Sequence, residues 1–307
     1  MTEQVIGIDI GATSIKGGLV DNNGQIGIQG TEPNSNLSDE ELCSRVCKLV
    51  NQIQNESGSS QKFPVGIGSP GPLNGNHGLV YTSANMPKLK AANIFGALKE
   101  QGFEQLKLEN DANCAALGSL VFGSGKNYAN FAVITLGTGI GGGLILEKKL
   151  FSGWEHNGFE IGHIPIYTET NAARSCGCGN VGCLETIASA VGISQSFFEQ
   201  KQTRKSPLEI SQLADQGDQA ALEVFTFAAK SLGLAVASIV QLLNLEAIIF
   251  TGGIAKASHL LLPILEKTFQ AHTQPNLRDR VKILFSEQDS SSGVTGAAAQ
   301  HFSLALA

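Results

Sequence analysis

The segment Thr13–Val20 reads TSIKGGLV, and 125 residues later Thr138–Ile145 reads TGIGGGLI. Thr, Ile, Gly, Gly and Leu occupy the same places in both copies, and each copy follows a run of β-forming residues. Self-similarity of this kind indicates that one supersecondary unit occurs twice. Two strand–turn–strand units, each with a small-residue turn that carries a threonine, predict two related α/β halves that face one another.

Strand and helix patterns surround both copies of the repeat. Ser38 followed by Glu41 is a capping box that predicts the start of a helix, and a long apolar helix pattern covers Asp218–Leu243. Apolar runs bounded by turn residues predict strands at Val5–Asp9, Ile15–Val20, Gln25–Gln29, Val65–Gly68, Leu106–Glu109, Ala247–Phe250 and Val281–Phe285. We expect a small α/β domain at residues 1–115, on which a C-terminal helix at about 293–307 packs, and a large α/β domain at 116–292.

Composition restricts the class of protein. The chain has 307 residues, 42% hydrophobic and 16% charged, with a formal net charge of −6, which argues against a broad nucleic-acid or membrane surface. No run of about 18 apolar residues predicts a membrane span, and the N-terminus lacks the basic start and apolar core of a secretory signal. We therefore expect a cytoplasmic protein, in which clustered thiols more often hold metal than form disulfides.

Both repeat turns have the chemistry of a phosphate-binding loop. The first, GIDIGATSIKGG, supplies Asp9, Thr13 and Lys16 among glycines, and the second, TLGTGIGGG, repeats this chemistry without the lysine. Small residues let backbone N–H groups approach phosphate oxygens, to which a hydroxyl and an ammonium group add donors. Each turn alone could be an ordinary glycine-rich hairpin, and neither matches the GxxxxGK[ST] loop. Two of them favour a polyphosphate clamped between two domains.

The segment ENDANCAA, Glu109–Ala116, places Asn110 and Asp111 between a strand and a helix. Either side chain could simply cap the helix that follows. The functional alternative is a carboxylate at a strand end that acts as a general base.

Three cysteines crowd the segment RSCGCGNVGCLE, Arg174–Glu185. His163 precedes them in GFEIGH, so that His163, Cys176, Cys178 and Cys183 offer one imidazole and three thiolates. This is a full tetrahedral set for structural Zn²⁺, with no position left open. A catalytic zinc is the competing interpretation, but the H-x-E and P-C-x-x-C spacings of zinc deaminases do not occur. A cluster of reduced thiols is the third.

In combination these motifs resemble the ROK family (repressors, open reading frames, sugar kinases), particularly its bacterial glucokinase-like branch. The matching segments run in family order and are D-x-G-x-T-x-x-K at Asp9–Lys16, GIGSPGPL at Gly66–Leu73, ENDANCAA, LGTGIGGG, GFEIGH, CGCGNVGCLE and TGGI at Thr251–Ile254. The resemblance implies an actin-like ATPase fold, with two α/β domains around a cleft, and an ATP-dependent sugar kinase that is commonly a homodimer.

The resemblance also implies roles for individual residues. Asp111 would take the proton from the 6-hydroxyl of a hexose, and Asp9 would lie near Mg²⁺ through water. The implied sugar contacts are Gly68, Asn85, Asn110, Asp111, Glu160, His163 and Glu185. The implied ATP contacts are Asp9, Gly11, Ala12, Thr13, Lys16, Thr138, Gly139, Gly252 and Gly253.

Some positions depart from the family pattern. The segment GWEHNGFE before Glu160 replaces the small residues that are usual there, and His156 and Phe159 add bulk. For Trp154 and His156, loop packing is the simpler interpretation. Glucose is the first expected substrate, with fructose, N-acetylglucosamine, N-acetylmannosamine or allose as alternatives. A sugar-responsive repressor would need a DNA-binding module, and only eight residues precede Asp9. A catalytically inactive sugar-binding module is the remaining alternative.

Overall fold

The computed structural model describes residues 3–83, 86–167, 173–286 and 293–302. The chain divides into two compact units: unit 1 contains residues 1–127, 143–159 and 291–307, and unit 2 contains residues 128–142 and 160–290. This division reflects contact density within the chain. The domain boundaries expected at 115 and 292 stay a prediction.

The described strands and helices follow one another along the whole chain. The strands are β1 (Gln4–Ile10), β2 (Ser14–Asp21), β3 (Ile26–Pro33), β4 (Val65–Ser69), β5 (Leu73–Asn74), β6 (Leu79–Ser83), β7 (Met86–Asn93), β8 (Leu106–Asn110), β9 (Phe131–Leu136), β10 (Ile140–Leu146), β11 (Lys149–Phe151), β12 (Ala247–Thr251) and β13 (Lys282–Phe285). The helices are α1 (Asp39–Glu56), α2 (Ile94–Glu100), α3 (Asp111–Phe122), α4 (Glu185–Ala188), α5 (Ala190–Lys201), α6 (Pro207–Asp215), α7 (Gln219–Leu243), α8 (Ser258–His272), α9 (Pro275–Arg278) and α10 (Gly293–Ala299).

Two five-stranded sheets share one strand order. The first is β3-β2-β1-β4-β8 and the second is β11-β10-β9-β12-β13. In each, three strands that follow one another in sequence are joined by two more that enter beside the first of the three. In the first sheet β1, β2 and β3 are antiparallel, whereas β4 and β8 run parallel to β1. In the second, β12 is parallel to both β9 and β13. The duplication that the repeat predicts is therefore present in the strand order.

The first sheet buries its two faces against different helices, because alternate residues of a strand point to opposite sides. Ile6, Ile8 and Ile10 of β1 belong to one apolar core, together with a buried stripe of α1 that contains Leu42, Val46, Leu49, Val50 and Ile53. That helix begins at the predicted Ser38–Glu41 capping box. Val5 faces the other way and packs with Val294 of the short C-terminal helix α10.

Helix α10 lies close to the sheet because glycines face it. A Cβ atom at Gly7 would overlap the carbonyl oxygen of Val294, and one at Gly66 would overlap that of Ala297. The backbone of β1 and β4 therefore contacts α10 directly, with no side chain between them. Any larger residue at Gly7 or Gly66 would push α10 away from the sheet. This contact fixes the position of the C-terminal helix on unit 1.

A third sheet, β5-β6-β7, was not predicted. Its strands are antiparallel. In β7 the residues Met86, Leu89 and Ala92 are buried, and two exposed residues separate each from the next. This three-residue spacing does not give the period-2 pattern by which strands are recognised in sequence.

Helix α7 is, within the described part of the chain, the one helix long and apolar enough to cross a membrane. Its most apolar window has 56% of its residues buried inside the protein. Val224, Phe225 and Leu232 are among its buried residues. Burial on this scale is that of a core helix, whose apolar surface is already covered by protein.

The contact between α10 and the sheet predicts a strong effect of a single methyl group. We expect Gly66→Ala to reduce the free energy of unfolding by about 2 kcal/mol, because the new Cβ atom overlaps rigid backbone. Gly27→Ala in β3 is the matched control, since the nearest atom to its Cβ would be the Leu19 carbonyl oxygen at 3.9 Å. Thermal unfolding checks both variants, and equal melting temperatures would contradict the packing described.

Candidate functional site

Three parallel strands place polar residues at one edge of the first sheet. In the register, Asp9 pairs with Gly68, and Gly68 pairs with Glu109. Neighbouring strands lie about 4.8 Å apart, so this row brings Asp9 and Glu109 within about 10 Å of each other across a residue without a side chain. Asn110 and Asp111 follow directly after Glu109. Asp9 and the segment Glu109–Asp111, which lie about a hundred residues apart in sequence, thus meet at one edge of unit 1.

The corner between β8 and α3 holds the proposed base. Asn110 is the N-cap of α3, and its side-chain oxygen accepts the N–H of Ala112 at 2.9 Å. Asp111 is the first residue of the helix, and its Oδ1 atom accepts the same N–H at 2.8 Å. Of the two capping candidates Asn110 is the cap, so the helix does not depend on the Asp111 carboxylate to begin.

The Asp111 carboxyl group is poised to accept a proton. Its side chain keeps contact with solvent, yet incomplete hydration raises its pKa above the ordinary value, although hydrogen bonds from backbone N–H groups act in the opposite direction. A raised pKa makes the carboxylate a stronger base near neutral pH.

Asp9 lies close enough to Asp111 for their charges to interact. The pKa of Asp9 is raised to about 6, chiefly by burial and in addition by the negative charge of Asp111, while the positive charge of Lys16 opposes both. Lys16 is the register partner of Asp9 on β2. Two carboxylates in one poorly hydrated place have an excess of negative charge that a divalent cation such as Mg²⁺ would relieve.

The first glycine turn is held by a residue that the sequence did not indicate. The N–H of Gly11 donates to the carbonyl oxygen of Ser14 at 2.9 Å. Asn34 is 2% exposed. Its side-chain amide donates to the Gly11 carbonyl oxygen, and its backbone N–H donates to the Thr13 carbonyl oxygen. Ala12 and Thr13 at the tip remain exposed. Hydrogen bonds from Asn34 on the buried side thereby fix the turn, while its tip stays accessible to solvent.

The second glycine turn borders a cavity within unit 2. Gly137 donates to the Gly139 carbonyl oxygen, and the N–H of Gly141 donates to Thr135 Oγ1 at 3.1 Å. The cavity has a volume of about 370 Å³, and Gly137, Thr138, Leu208, Phe225, Gly253 and Lys256 are among the residues that line it. Gly252 has a φ of 98°, and a Cβ atom there would lie 2.6 Å from the Leu136 carbonyl oxygen. The apolar lining and the adjoining turn fit a purine base followed by phosphates.

The histidine and the three cysteines meet in unit 2. Ligand atoms of His163, Cys176, Cys178 and Cys183 all lie within 4.8 Å of one another. The Cys178 and Cys183 sulfurs are 3.7 Å apart, and Cys176 Sγ is 3.5 Å from His163 Nδ1. Tetrahedral zinc requires about 3.8 Å between two sulfurs and about 3.5 Å between sulfur and nitrogen. The donor set and its spacing therefore fit a tetrahedral metal ion.

Glu185 connects this cluster to the second glycine turn. Its Oε2 atom accepts the N–H of Ile140 at 2.9 Å, and its Oε1 atom lies 3.9 Å from Cys176 Sγ. A Cβ atom at Gly139 would overlap the same carboxylate. The Glu185 side chain thus contacts both the cluster, through Cys176, and the turn that precedes β10.

The expected site residues fall into two groups in the structure. Unit 1 brings Asp9, Gly68, Asn110 and Asp111 to one sheet edge. Unit 2 brings Thr138 and Gly253 to one cavity, and it brings His163 and Glu185 together with the three clustered cysteines. Asn85 lies outside the described residues. Asn34 and Glu109 were missed as site residues. The signal for Glu109 was its place at the end of a predicted strand, directly before Asn110 and Asp111.

The raised pKa of Asp9 predicts that its charge opposes folding. Because the folded pKa of about 6 exceeds the ordinary 3.8, the penalty is fully present above pH 6 and disappears as the pH falls to about 4. We expect Asp9→Asn, free of ligands and metal, to raise the free energy of unfolding at pH 8 by about 1–2 kcal/mol. The gain should vanish near pH 4, as measured by thermal unfolding.

Asp279→Asn is the control for this prediction, because the Asp279 side chain is 74% exposed. It should change stability little at either pH. A loss of stability in Asp9→Asn at pH 8 would contradict the prediction.

Comparisons with known proteins agree with this architecture. A sequence model of the ROK family matches residues 5–302. A glucokinase of Thermotoga maritima is 30% identical over 310 residues, which cover 96% of each chain. An N-acetyl-D-glucosamine kinase of Vibrio cholerae is also 30% identical, over 95% of this chain and 97% of its own.

A solved structure gives the same result for the fold. The ROK-family glucokinase of Streptomyces griseus, determined in complex with glucose and AMPPNP, is similar with a TM-score of 0.79 and 28% identity. The match covers 97% of this chain and 98% of that one. The predicted actin-like α/β fold is thereby confirmed. Since family model, relatives and solved structure all match over nearly the full length, the chain belongs to the ROK family.

Proposed function

We propose that this protein is an ATP-dependent hexose kinase that phosphorylates the 6-hydroxyl group, with glucose as its preferred substrate. Its similarity to glucokinases and to a further sugar kinase supports the class of reaction. The observation that carries the proposal is the Asp111 carboxylate, which begins α3, is not needed as its cap and has a raised pKa beside Asp9.

Asp111 acts as the general base. Its carboxylate accepts the proton of the sugar hydroxyl as the oxygen attacks the terminal phosphorus of ATP, and ADP leaves. Phosphoryl transfer requires positioning and charge stabilisation more than covalent chemistry. Asp111 is positioned at the start of α3, which Asn110 caps, and its raised pKa favours proton acceptance.

Each glycine turn offers groups that suit ATP, and the unit 2 cavity offers a place for its base. Thr13 and Lys16 in the first turn and Thr138 in the second are donors for phosphates. Gly253, which lines the cavity, and its neighbour Gly252 would contact the adenosine. Mg²⁺, held near Asp9, would neutralise phosphate charge when bound. Asp9 and Lys16 carry opposite charges on paired strands, so this chain also contributes a fixed cation beside the carboxylate.

The sugar is recognised by short polar side chains. Asn85, Asn110, Glu160, His163 and Glu185 pair with its hydroxyls, and the backbone at Gly68 approaches it closely. Glucose is preferred because carboxylates of this kind penalise sugars that lack a matching hydroxyl. N-acetylglucosamine is the nearest alternative, since a kinase for that sugar is also 30% identical in sequence.

The metal cluster holds structural zinc. Three cysteines and His163 Nδ1 leave no ligand position open for substrate. Glu185 contacts both Cys176 and the Ile140 N–H, so an ordered cluster helps to fix the second glycine turn. Zinc therefore supports sugar and nucleotide binding without taking part in bond making. A homodimer in the cytoplasm is the assembly that we propose from the family resemblance.

The function is tested with a coupled assay of ADP release across hexoses and amino sugars. We expect glucose to give the highest kcat/KM and Asp111→Asn to lower kcat by at least about two orders of magnitude. Glucose affinity should change little, and the melting temperature should not fall, because Asn110 remains the cap and the raised pKa of Asp111 means that its charge does not favour folding.

Asp279→Asn serves as the control in this assay and should retain full activity. Near-normal kcat in Asp111→Asn would show that the base lies elsewhere. A tenfold preference for an N-acetyl sugar or fructose would overturn the choice of glucose and leave the kinase proposal intact.

Zinc is tested by metal analysis of the purified protein. We expect about one zinc per chain in the wild type and almost none in Cys178→Ser, which should also melt at a lower temperature because metal binding contributes folding energy. Cys47→Ser is the control, since Cys47 packs against the core of unit 1, and it should retain its zinc. Active wild-type protein without zinc would contradict the proposal.

A further inference from the structure

The buried carboxylate of Glu109 makes four hydrogen bonds. Its Oε1 atom accepts the backbone N–H of Asn110 at 2.9 Å and the side-chain amide of Asn113 at 3.0 Å. Its Oε2 atom accepts the Ser152 hydroxyl at 3.0 Å and lies 2.9 Å from His156 Nδ1. Glu109 is 4% exposed, so these partners replace the water that a carboxylate would otherwise require.

Two of the four partners come from a loop far away in sequence. Ser152 and His156 lie after β11, in the last segment of unit 1 before the chain continues into unit 2 at Glu160. Trp154 between them is 86% exposed, so packing of its aromatic ring does not anchor this loop. His156 has a φ of 64°, which is unfavourable for a residue with a side chain unless other contacts hold it. The contacts of Ser152 and His156 with Glu109, together with a 3.4 Å contact between His156 Nε2 and Asn76 Oδ1, connect this loop to the rest of unit 1.

The other two partners of Glu109 lie at the junction of β8 and α3, where the proposed base Asp111 is located. Asn110 is the last residue of β8, caps α3 and immediately precedes Asp111, while Asn113 lies in the first turn of the same helix. The Glu109 carboxylate therefore fixes the start of α3 from behind. It can do so only while its own orientation is fixed, which is the contribution of Ser152 and His156.

The surroundings of Glu109 show what would happen if the loop contacts were lost. A cavity of about 450 Å³ adjoins the pair and is lined by Glu109, His156, Gly75 and Asn76 among others. A carboxylate deprived of its buried partners turns toward water where space permits. Glu109 would then release the Asn110 N–H, and the position of Asp111 would become less defined.

We propose that His156 is a positioning residue for the proposed base Asp111, acting through Glu109, with Ser152 as its second support. The inference rests on the function proposed for Asp111. His156 touches neither sugar nor nucleotide in this role. It reduces the range of positions that Asp111 occupies, and misplacement of a catalytic group by a fraction of an ångström to 1 Å lowers rate more than binding.

The test compares two substitutions that both tolerate a positive φ. His156→Gly removes the donor to Glu109, whereas His156→Asn retains a side-chain N–H near the place of Nδ1. We expect His156→Gly to lower kcat about tenfold with KM for the hexose changed less than twofold, and His156→Asn to recover most of the rate. His272→Ala, which removes a ring bonded to a carbonyl of its own helix, should match the wild type.

A double variant separates positioning from a general loss of structure. If His156 acts through Asp111, His156→Gly should lower kcat no further in an Asp111→Asn background, because the base it positions is absent. If His156→Gly is too unstable to purify, Ser152→Ala replaces it in the same cycle, with an expected loss of about threefold.

Three results would overturn the inference. They are normal kcat in His156→Gly, a rise in KM that accounts for the whole loss, and full additivity with Asp111→Asn. Normal kcat in His156→Gly together with a large loss in Asp111→Asn would reject this inference alone. Near-normal kcat in Asp111→Asn would reject the proposed base and, with it, the positioning role.

Discussion

The parallel register of β1, β4 and β8 is the constraint on which the rest of unit 1 depends. It places Asp9, Gly68 and Glu109 in one row, with Asn110 and Asp111 one step beyond. A slip of one residue would turn the side chains of a strand to the opposite face and separate the acidic groups. The register is secured on one face by the apolar core with α1 and on the other by α10, which touches bare backbone at the glycines. The position of the acidic groups at the sheet edge therefore depends on packing that they do not take part in.

Much of the fold could be predicted because local patterns and tertiary structure agree. The repeat predicted a duplicated strand–turn–strand unit, and the two sheets share one strand order. The capping box at Ser38 and the apolar runs of β1, β4 and β12 formed the expected elements within a few residues. The proximity of the histidine and the three cysteines could be predicted because thiols and an imidazole at such spacing in sequence are typical of a metal site. The structure brings His163 and the three cysteines together at the spacing that such a site requires.

What the sequence did not predict consists of polar contacts between distant segments. Asn34 fixes a turn more than twenty residues before it, and Glu109 joins a strand end to a loop more than forty residues later. A single sequence contains no signal for such pairs, because Asn and Glu are also common on exposed surfaces. The third sheet was missed because β5 has only two residues and the buried positions of β7 recur at every third residue. His156 was interpreted as loop packing, and its ring does hold the loop, through a carboxylate rather than through apolar contact.

The central claim is that the Asp111 corner activates a primary hydroxyl group of a hexose toward phosphoryl transfer. Phosphorus-31 NMR of the product formed from glucose and ATP tests it most directly. The account predicts one new phosphoester signal, split into a triplet by the two protons on carbon 6, which forms with the wild type and not with Asp111→Asn over the same period. A doublet would place the phosphate on a ring carbon, and inorganic phosphate alone would show transfer to water. Either result would contradict the account.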